Sequence, residues 1–141
     1  MILYLDTSAW VKLYVREPGS KELRASVAKA EALATSVVAY PEARAAFARL
    51  KMQGITTEAK HQQRLAQLNT DWENLLRIEL APPVVRTAGD LAEVHGLRGF
   101  DSIHLASALW LREKAGTPLY FAVFDMRLRV AAERAGLVVA P

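Results

Sequence analysis

The sequence predicts an α/β fold, a three-layer α/β/α sandwich in which helices cover both faces of a parallel sheet. Two short runs, residues 2–5 and 119–124, are apolar or aromatic at every position, which is typical of strands buried on both faces. Segments with apolar residues at helical spacing alternate with these runs and with weaker strands along the chain. The connections are short, and strand–helix alternation with short connections favours a parallel sheet between helices.

The first half of the chain is predicted to hold two strands and four helices. Pro18 and Gly19 separate the first helix from the second, which Ser20 is placed to cap. Gly54 ends the third helix, and the polar, Gln-rich stretch after it indicates an exposed fourth helix. The predicted elements in order are strand 2–5, helix 9–17, a helix from residue 20, strand 33–36, helix 37–50 and helix 56–69.

The second half is predicted to hold three strands and three helices. Residues 70–76 have a more apolar side, and Pro82 and Pro83 follow a short alternating strand. Gly96, Gly116 and Gly136 each stand where a helical pattern ends. The predicted elements in order are strand 77–80, helix 84–95, a helix opened by Asp101 and running to residue 115, strand 119–124, helix 126–135 and strand 137–139.

The composition limits the classes of function. At 141 residues the chain is expected to form one domain over residues 1–141. It has no cysteine, which excludes disulfides, thiolate zinc sites, iron–sulfur clusters and cysteine nucleophiles. A net charge of +3, from 18 Lys and Arg against 15 Asp and Glu, permits a polyanionic partner without requiring one. No signal segment and no apolar run of membrane length is visible, so we expect a cytoplasmic protein with no membrane partner.

Four acidic residues stand where this fold class places its chemistry. Asp6 and Asp125 follow the two strongly apolar strands, and ligands of open parallel sheets bind outside the carboxyl ends of the strands. Asp101 lies in the first turn of a helix and Glu42 near the start of another, where the helix dipole favours a carboxylate. Taken singly, each acid has an ordinary explanation as a helix cap, a turn residue or a solvated side chain.

Together the four acids indicate a more specific chemistry. Carboxylates gathered at one cleft repel one another unless a cation lies between them. Oxygen ligands in a chain without cysteine favour a hard ion such as Mg²⁺ or Mn²⁺. Such an ion lowers the pKa of a bound water and stabilises the charge that develops on a phosphate. The set therefore suits metal-dependent hydrolysis of a phosphodiester.

Three stretches resemble the motifs of the PIN-domain family. Residues 97–106, LRGFDSIHLA, resemble its central motif, residues 3–9 its first and residues 124–128 its last. Glu42 stands where the family carries its second acid. The resemblance runs from residue 1 to about residue 139 and is greatest for the VapC toxins of type II toxin–antitoxin systems. Two positions depart from the family pattern. Val123 stands where Thr or Ser is frequent, and Pro41 stands where a freer helical residue is common.

The resemblance implies a five-stranded parallel sheet and an endoribonuclease that depends on Mg²⁺ or Mn²⁺. It implies an acidic cluster made of Asp6, Glu42, Asp101 and Asp125. Asp6 and Asp101 would hold the main metal, with Ser8 as a small polar residue beside it. The other two acids would complete the cluster, bind a second metal or orient the attacking water. The implied partners are an RNA substrate, a small cognate antitoxin and a second copy of the chain in a homodimer.

The basic residues beside the motifs are less specific. Arg98, Arg127 and Arg129 flank two of the motifs and are either contacts for substrate phosphates or solvated charges. His104 follows Asp101 by three residues, and we expect a hydrogen-bonded structural histidine rather than a metal ligand.

Three other functions remain open from the sequence. A PIN nuclease of RNA processing would have the same chemistry and a different biological role. A phosphatase with Asp6 as its nucleophile would resemble the haloacid dehalogenases, whose pattern has a second Asp where this chain has Ser8. A metal-free binding module is the third alternative, and the intact set of clustered acids argues against it.

Overall fold

The computed structural model describes residues 1–141, which form five strands and seven α-helices. The elements in chain order are β1 (Ile2–Leu5), α1 (Thr7–Lys12), α2 (Ser20–Lys29), β2 (Ala32–Ser36), α3 (Ala39–Met52), α4 (Glu58–Asn74), β3 (Leu76–Ile78), α5 (Pro82–His95), α6 (Gly99–Ala115), β4 (Leu119–Ala122), α7 (Met126–Arg134) and β5 (Val138–Val139). All strand pairs are parallel, which confirms the predicted α/β class. No helix combines the length and the apolar character that crossing a membrane requires.

The strand order β3-β2-β1-β4-β5 explains where a site can form. The chain builds outward from β1 through β2 and β3, and then crosses to the other side of β1 to add β4 and β5. Leu3 in β1 is paired with Leu33 on one side and with Tyr120 on the other. The order therefore reverses between β1 and β4, and the crevice at such a reversal is where ligands bind in open α/β sheets.

Alternate residues of β1 face two separate halves of the core. Ile2 and Tyr4 belong to a cluster of 15 buried residues beneath α6 and α7. Leu3 and Leu5 belong to a cluster of 12 on the opposite face, beneath the first four helices. Because both faces of the sheet carry a packed helical layer, the predicted three-layer sandwich is confirmed. The remaining helix, α5, packs against α6.

Polar side chains at the strand ends start two of the helices. Asp6 Oδ1 accepts a hydrogen bond from the Ala9 N–H at 2.8 Å, and Asp125 Oδ1 accepts one from the Leu128 N–H at 2.9 Å. The ordinary explanation of these two acids as helix caps is therefore correct. It does not exclude a second role, because each carboxylate keeps another oxygen.

A close contact ties the start of α2 to the segment that follows β4. Gly19, the residue before α2, has a φ of 93°, a left-handed conformation that favours glycine. A Cβ at this position would lie 2.5 Å from Phe124 Cε1. The α1–α2 turn therefore packs directly on the segment that leads to Asp125.

Several predicted boundaries are wrong for identifiable reasons. The first helix ends at Lys12 instead of residue 17, because the next N–H groups bond three residues back and tighten the chain into a turn. Ser20 lies inside α2 and Gly19 is its N-cap. The helix predicted to end at residue 69 continues to Asn74.

Two further boundaries change the setting of the site. The strand predicted to end at residue 124 ends at Ala122, because that residue pairs with Leu5, the last residue of β1. The sixth helix begins at Gly99 rather than at Asp101. Asp101 is therefore its third residue and not its cap.

Candidate active site

A polar pocket of about 350 Å³ lies at the carboxyl edge of the sheet. Only two of its twelve lining residues are hydrophobic. The four predicted acids, Asp6, Glu42, Asp101 and Asp125, all line it. They come from the end of β1, from α3, from α6 and from the end of β4, so the fold joins segments that are far apart in the chain.

Asp6 is the most deeply buried of the four acids, with 4% of its surface exposed. Ser8 Oγ donates to both carboxylate oxygens, at 3.0 and 3.3 Å. Burial raises the pKa of Asp6, although nearby His104, the Ala9 N–H and the Ser8 hydroxyl act in the opposite direction. A cation in the pocket would favour the ionised form that burial disfavours.

Glu42 occupies the first turn of α3 with 25% of its side chain exposed. Its Oε1 accepts a hydrogen bond from Thr7 Oγ1 at 2.5 Å and lies 3.2 Å from His104 Nε2. Burial alone would raise the pKa of this carboxyl. The hydrogen bonds from His104 and Thr7 outweigh burial and lower the pKa of Glu42.

Asp101 forms an ion pair with Arg98, the residue that precedes and caps α6. Arg98 Nε lies 3.1 Å from Asp101 Oδ2, and 79% of the Arg98 side chain is exposed. The pKa of Arg98 is raised, first by Asp101 and then by the more distant charges of Asp125 and Glu42. The guanidinium thus lies in the combined negative field of three of the four acids.

The predicted phosphate contacts lie in different places. Arg98 lines the pocket. Arg127 Nη1 donates to the Gly96 carbonyl at 3.3 Å, and Arg129 Nη1 donates to the Pro141 carbonyl at 3.0 Å. Neither of these two side chains lines the pocket.

The donor set fits a hard divalent ion bound in part through water. No three His, Asp or Glu side chains lie close enough together here to hold one ion between them. Magnesium is usually bound by one or two carboxylates and keeps several of its waters. The carboxylates of Asp6 and Asp101, which both line the pocket, match that kind of binding, with the Ser8 hydroxyl beside Asp6.

The sequence of this chain is similar to that of a known protein family and of named relatives. The model of the PIN domain family matches residues 3–133. The chain belongs to the PIN domain family. Ribonuclease VapC49 of Mycobacterium tuberculosis (strain ATCC 25618 / H37Rv) is 41% identical to this PIN domain over 145 residues, which cover 99% of this chain and 95% of that protein. The family resemblance found in the sequence is thereby confirmed.

Solved structures share the fold of this PIN domain at low sequence identity. The crystal structure of FitAcB from Neisseria gonorrhoeae matches with a TM-score of 0.68 and 20% identity, over 100% of this chain and 97% of the other. Mycobacterium tuberculosis VapC20, described as a toxin that cleaves the sarcin–ricin loop, matches with a TM-score of 0.64 and 18% identity over 99% of both chains. This chain has the five-stranded sheet that the family resemblance implies, and both solved structures share its overall fold.

Six pocket residues of the PIN domain were not predicted as site residues, the apolar Val11 and Ala46 and the polar Thr7, Glu17, Arg49 and His104. Arg49 follows Glu42 by seven residues, so helical periodicity places both on one face of α3. That signal was present in the sequence. No local pattern shows that His104 contacts Glu42, because the two residues are 62 positions apart.

Proposed function

We propose that this PIN domain is an endoribonuclease that hydrolyses RNA phosphodiester bonds, and that it is the toxin of a type II toxin–antitoxin pair. The observation that carries the proposal is the convergence of four carboxylates on one polar pocket at the carboxyl edge of the sheet. The relative that is 41% identical along nearly its whole length is a ribonuclease by name, which supports RNA as the substrate.

The ion that fits the pocket is Mg²⁺ or Mn²⁺. When bound, it would supply an activated water and stabilise the charge that develops on the phosphate. Asp6 and Asp101 would hold it directly or through its waters. Asp125 and Glu42 would complete the cluster, bind a second ion or orient the attacking water. Ser8 keeps the Asp6 carboxylate in place through its hydroxyl.

Two arginines are suited to bind the RNA backbone beside the acids. Arg98 and Arg49 both line the pocket and are exposed, and a guanidinium forms paired hydrogen bonds with a phosphate. Arg98 is paired with Asp101 at the exposed rim, where an ion pair contributes little stability and is easily exchanged. A substrate phosphate therefore competes readily for Arg98, whereas Arg127 and Arg129 bind backbone carbonyls outside the pocket.

The proposal predicts cleavage that depends on a divalent ion. Purified protein, free of any antitoxin, is incubated with a mixture of RNAs, and the cut ends are mapped. We expect internal cuts with Mg²⁺ or Mn²⁺, none in EDTA, and recovery when excess Mg²⁺ is returned. Zn²⁺ should support cleavage less well, because the proposed ligands are hard oxygens. Full activity in EDTA would exclude the metal mechanism, and no cleavage of any RNA would exclude the nuclease.

A second prediction concerns the antitoxin. At the pocket, Asp101 accepts a hydrogen bond from the Arg98 guanidinium. An arginine from a small partner protein could bind the same carboxylate in the same way. Expression of this chain alone should slow growth, and co-expression of the neighbouring small open reading frame should restore it. The Asp101→Asn variant serves as the control and should be harmless alone. Normal growth with soluble, active protein would favour RNA processing as the biological role.

The homodimer stays a prediction. Light scattering of the purified chain tests it directly. A mass near twice the 15.6 kDa of one chain is the expected result.

A further inference from the structure

A buried histidine connects the interior of the fold to one of the four acids. His104 lies in α6, one turn after Asp101, and only 2% of its surface is exposed. Its ring contacts residues from three other elements: Tyr4 of β1, Thr7 of α1 and Glu42 of α3. A side chain that unites four elements at the wall of the pocket fixes their relative placement.

The distances define a continuous chain of hydrogen bonds. Tyr4 Oη lies 3.0 Å from His104 Nδ1. On the other side of the ring, Nε2 lies 2.9 Å from Thr7 Oγ1 and 3.2 Å from Glu42 Oε1. Thr7 Oγ1 in turn donates to the same Glu42 oxygen. Three of these residues are polar groups at the pocket, and Tyr4 is fully buried beneath them.

The hydrogens in this chain can be assigned by elimination. The Thr7 hydroxyl hydrogen is used on Glu42, and a carboxylate has no hydrogen to give. The hydrogen between the ring and these two residues must therefore belong to His104 Nε2. In a neutral ring Nδ1 is then an acceptor and Tyr4 donates to it, whereas in a protonated ring Nδ1 donates to Tyr4; in both cases Nε2 donates to Glu42. Burial raises the pKa of the Tyr4 hydroxyl and keeps its hydrogen in place.

The arrangement leaves one oxygen of Glu42 available. Both hydrogen bonds end on Oε1, so Oε2 remains to bind an ion or a water. A glutamate side chain without such hydrogen bonds samples several rotamers, and fixing it in one rotamer to bind an ion or a water costs conformational entropy. The hydrogen bonds from Thr7 and His104 impose that geometry in advance.

We propose that His104 is a positioning residue for Glu42: anchored by Tyr4, it holds the carboxylate so that its free oxygen faces the acid cluster. This inference rests on the proposed nuclease function. It assigns His104 no direct contact with substrate or ion. Its contribution passes through Glu42.

Two amide substitutions separate positioning from simple packing. In His104→Gln the side-chain amide reaches the place of Nε2 and can still donate to Glu42. In His104→Asn the amide reaches only the place of Nδ1, so the bond to Tyr4 is kept and the bond to Glu42 is lost. We expect His104→Asn to lower kcat on a short RNA by about tenfold or more, the range seen when residues that orient ligands are lost. His104→Gln should retain most of the rate, and KM should change little in either variant.

The Glu42→Gln background shows whether the effect passes through Glu42. If His104 acts on that carboxylate, His104→Asn should lower the rate much less in Glu42→Gln than in the wild-type chain. Equal losses in the two backgrounds would overturn the proposal, and so would equal rates for the Gln and Asn variants at His104. Thermal melts establish that each variant is folded. Where His104→Asn does not fold, His104→Met replaces it in the same cycle, because Met matches the length of Gln but has no hydrogen to donate to Glu42. Equal rates for the Gln and Met variants would then overturn the proposal.

Binding of Mn²⁺ gives a readout that does not depend on cleavage. Electron paramagnetic resonance of the free ion yields a Kd for each variant. We expect His104→Asn to weaken binding as Glu42→Gln does, and His104→Gln to weaken it less. If the wild-type chain binds Mn²⁺ but cuts no RNA, the proposed function fails while this series still decides the positioning role. Equal Kd values for Mn²⁺ in the wild type and in both His104 variants would overturn the positioning role of His104.

Discussion

Replacing Asp101 by asparagine should lower the rate of RNA cleavage by about a hundredfold or more while leaving the fold intact. Asparagine keeps the shape of the side chain and one acceptor oxygen, but it loses the charge that attracts a cation. Asp101 lies in the first turn of α6 and is not its cap, so the helix does not depend on the carboxylate for its start. The measurement is the initial rate on a defined RNA at saturating Mg²⁺.

Asp90→Asn is the matched control for this substitution. Asp90 is an exposed residue of α5 that does not line the pocket. Its replacement by asparagine therefore removes the same charge at a place away from the site. We expect its rate to equal that of the wild type. Similar rates for the Asp101 and Asp90 variants would show that Asp101 has no part in catalysis. Asp125→Asn should leave residual activity, because waters can replace an exposed carboxylate in part.

Replacing Asp6 by asparagine should stabilise the metal-free protein at neutral pH. Burial raises the pKa of Asp6 above its ordinary value of 3.8. At a pH between 3.8 and the raised pKa, the folded chain holds a proton that the unfolded chain has released. The free energy of unfolding therefore falls as pH rises through this range, and it stays lower at higher pH. Asparagine never ionises and removes this loss. It also accepts the hydrogen bond from the Ala9 N–H, because Asn caps helices about as well as Asp.

Thermal melts in EDTA at pH 7 and below pH 3.8 test this expectation. Each kcal/mol regained should raise Tm by about 2–4 °C in a domain of this size, and the gain should vanish in acid. Asp125→Asn provides the comparison, because Asp125 caps α7 in the same way but is exposed. Mg²⁺ should reduce the difference in Tm between Asp6→Asn and the wild type, because the ion should stabilise the wild type more than the variant. A lower Tm for Asp6→Asn at neutral pH would contradict the argument.

The sequence predicts the sheet better than the helix boundaries. The runs 2–5 and 119–124 are apolar throughout because both of their faces are buried against helices, so their pattern is unambiguous. The end of β4 could not be predicted, because it is set by where its partner β1 ends. The early end of α1 likewise depends on a turn in which the N–H groups of Leu13 and Tyr14 bond three residues back, which the local sequence does not show.

Topology predicts two of the four acids. Asp6 directly follows β1 and Asp125 lies three residues beyond the end of β4, and parallel strands present their carboxyl ends at one edge. Asp101 and Glu42 were predicted from helix starts and from the family resemblance. Contacts between side chains that are far apart in the chain leave no local pattern in the sequence. The hydrogen bond from His104 to Glu42 depends on how α6 and α3 pack on the sheet, and the hydrogen bond from Arg129 depends on where the Pro141 carbonyl lies.

The strand order also governs when the acidic pocket can first be completed during synthesis. Domains are synthesised from the N-terminus, and the central strand β1 leaves the ribosome long before its neighbour β4. Until β4 arrives, the nascent chain lacks both the pairing of Leu5 with Ala122 and the carboxylate of Asp125. A polypeptide whose translation stops before β4 therefore lacks one wall of the pocket and one of its four acids.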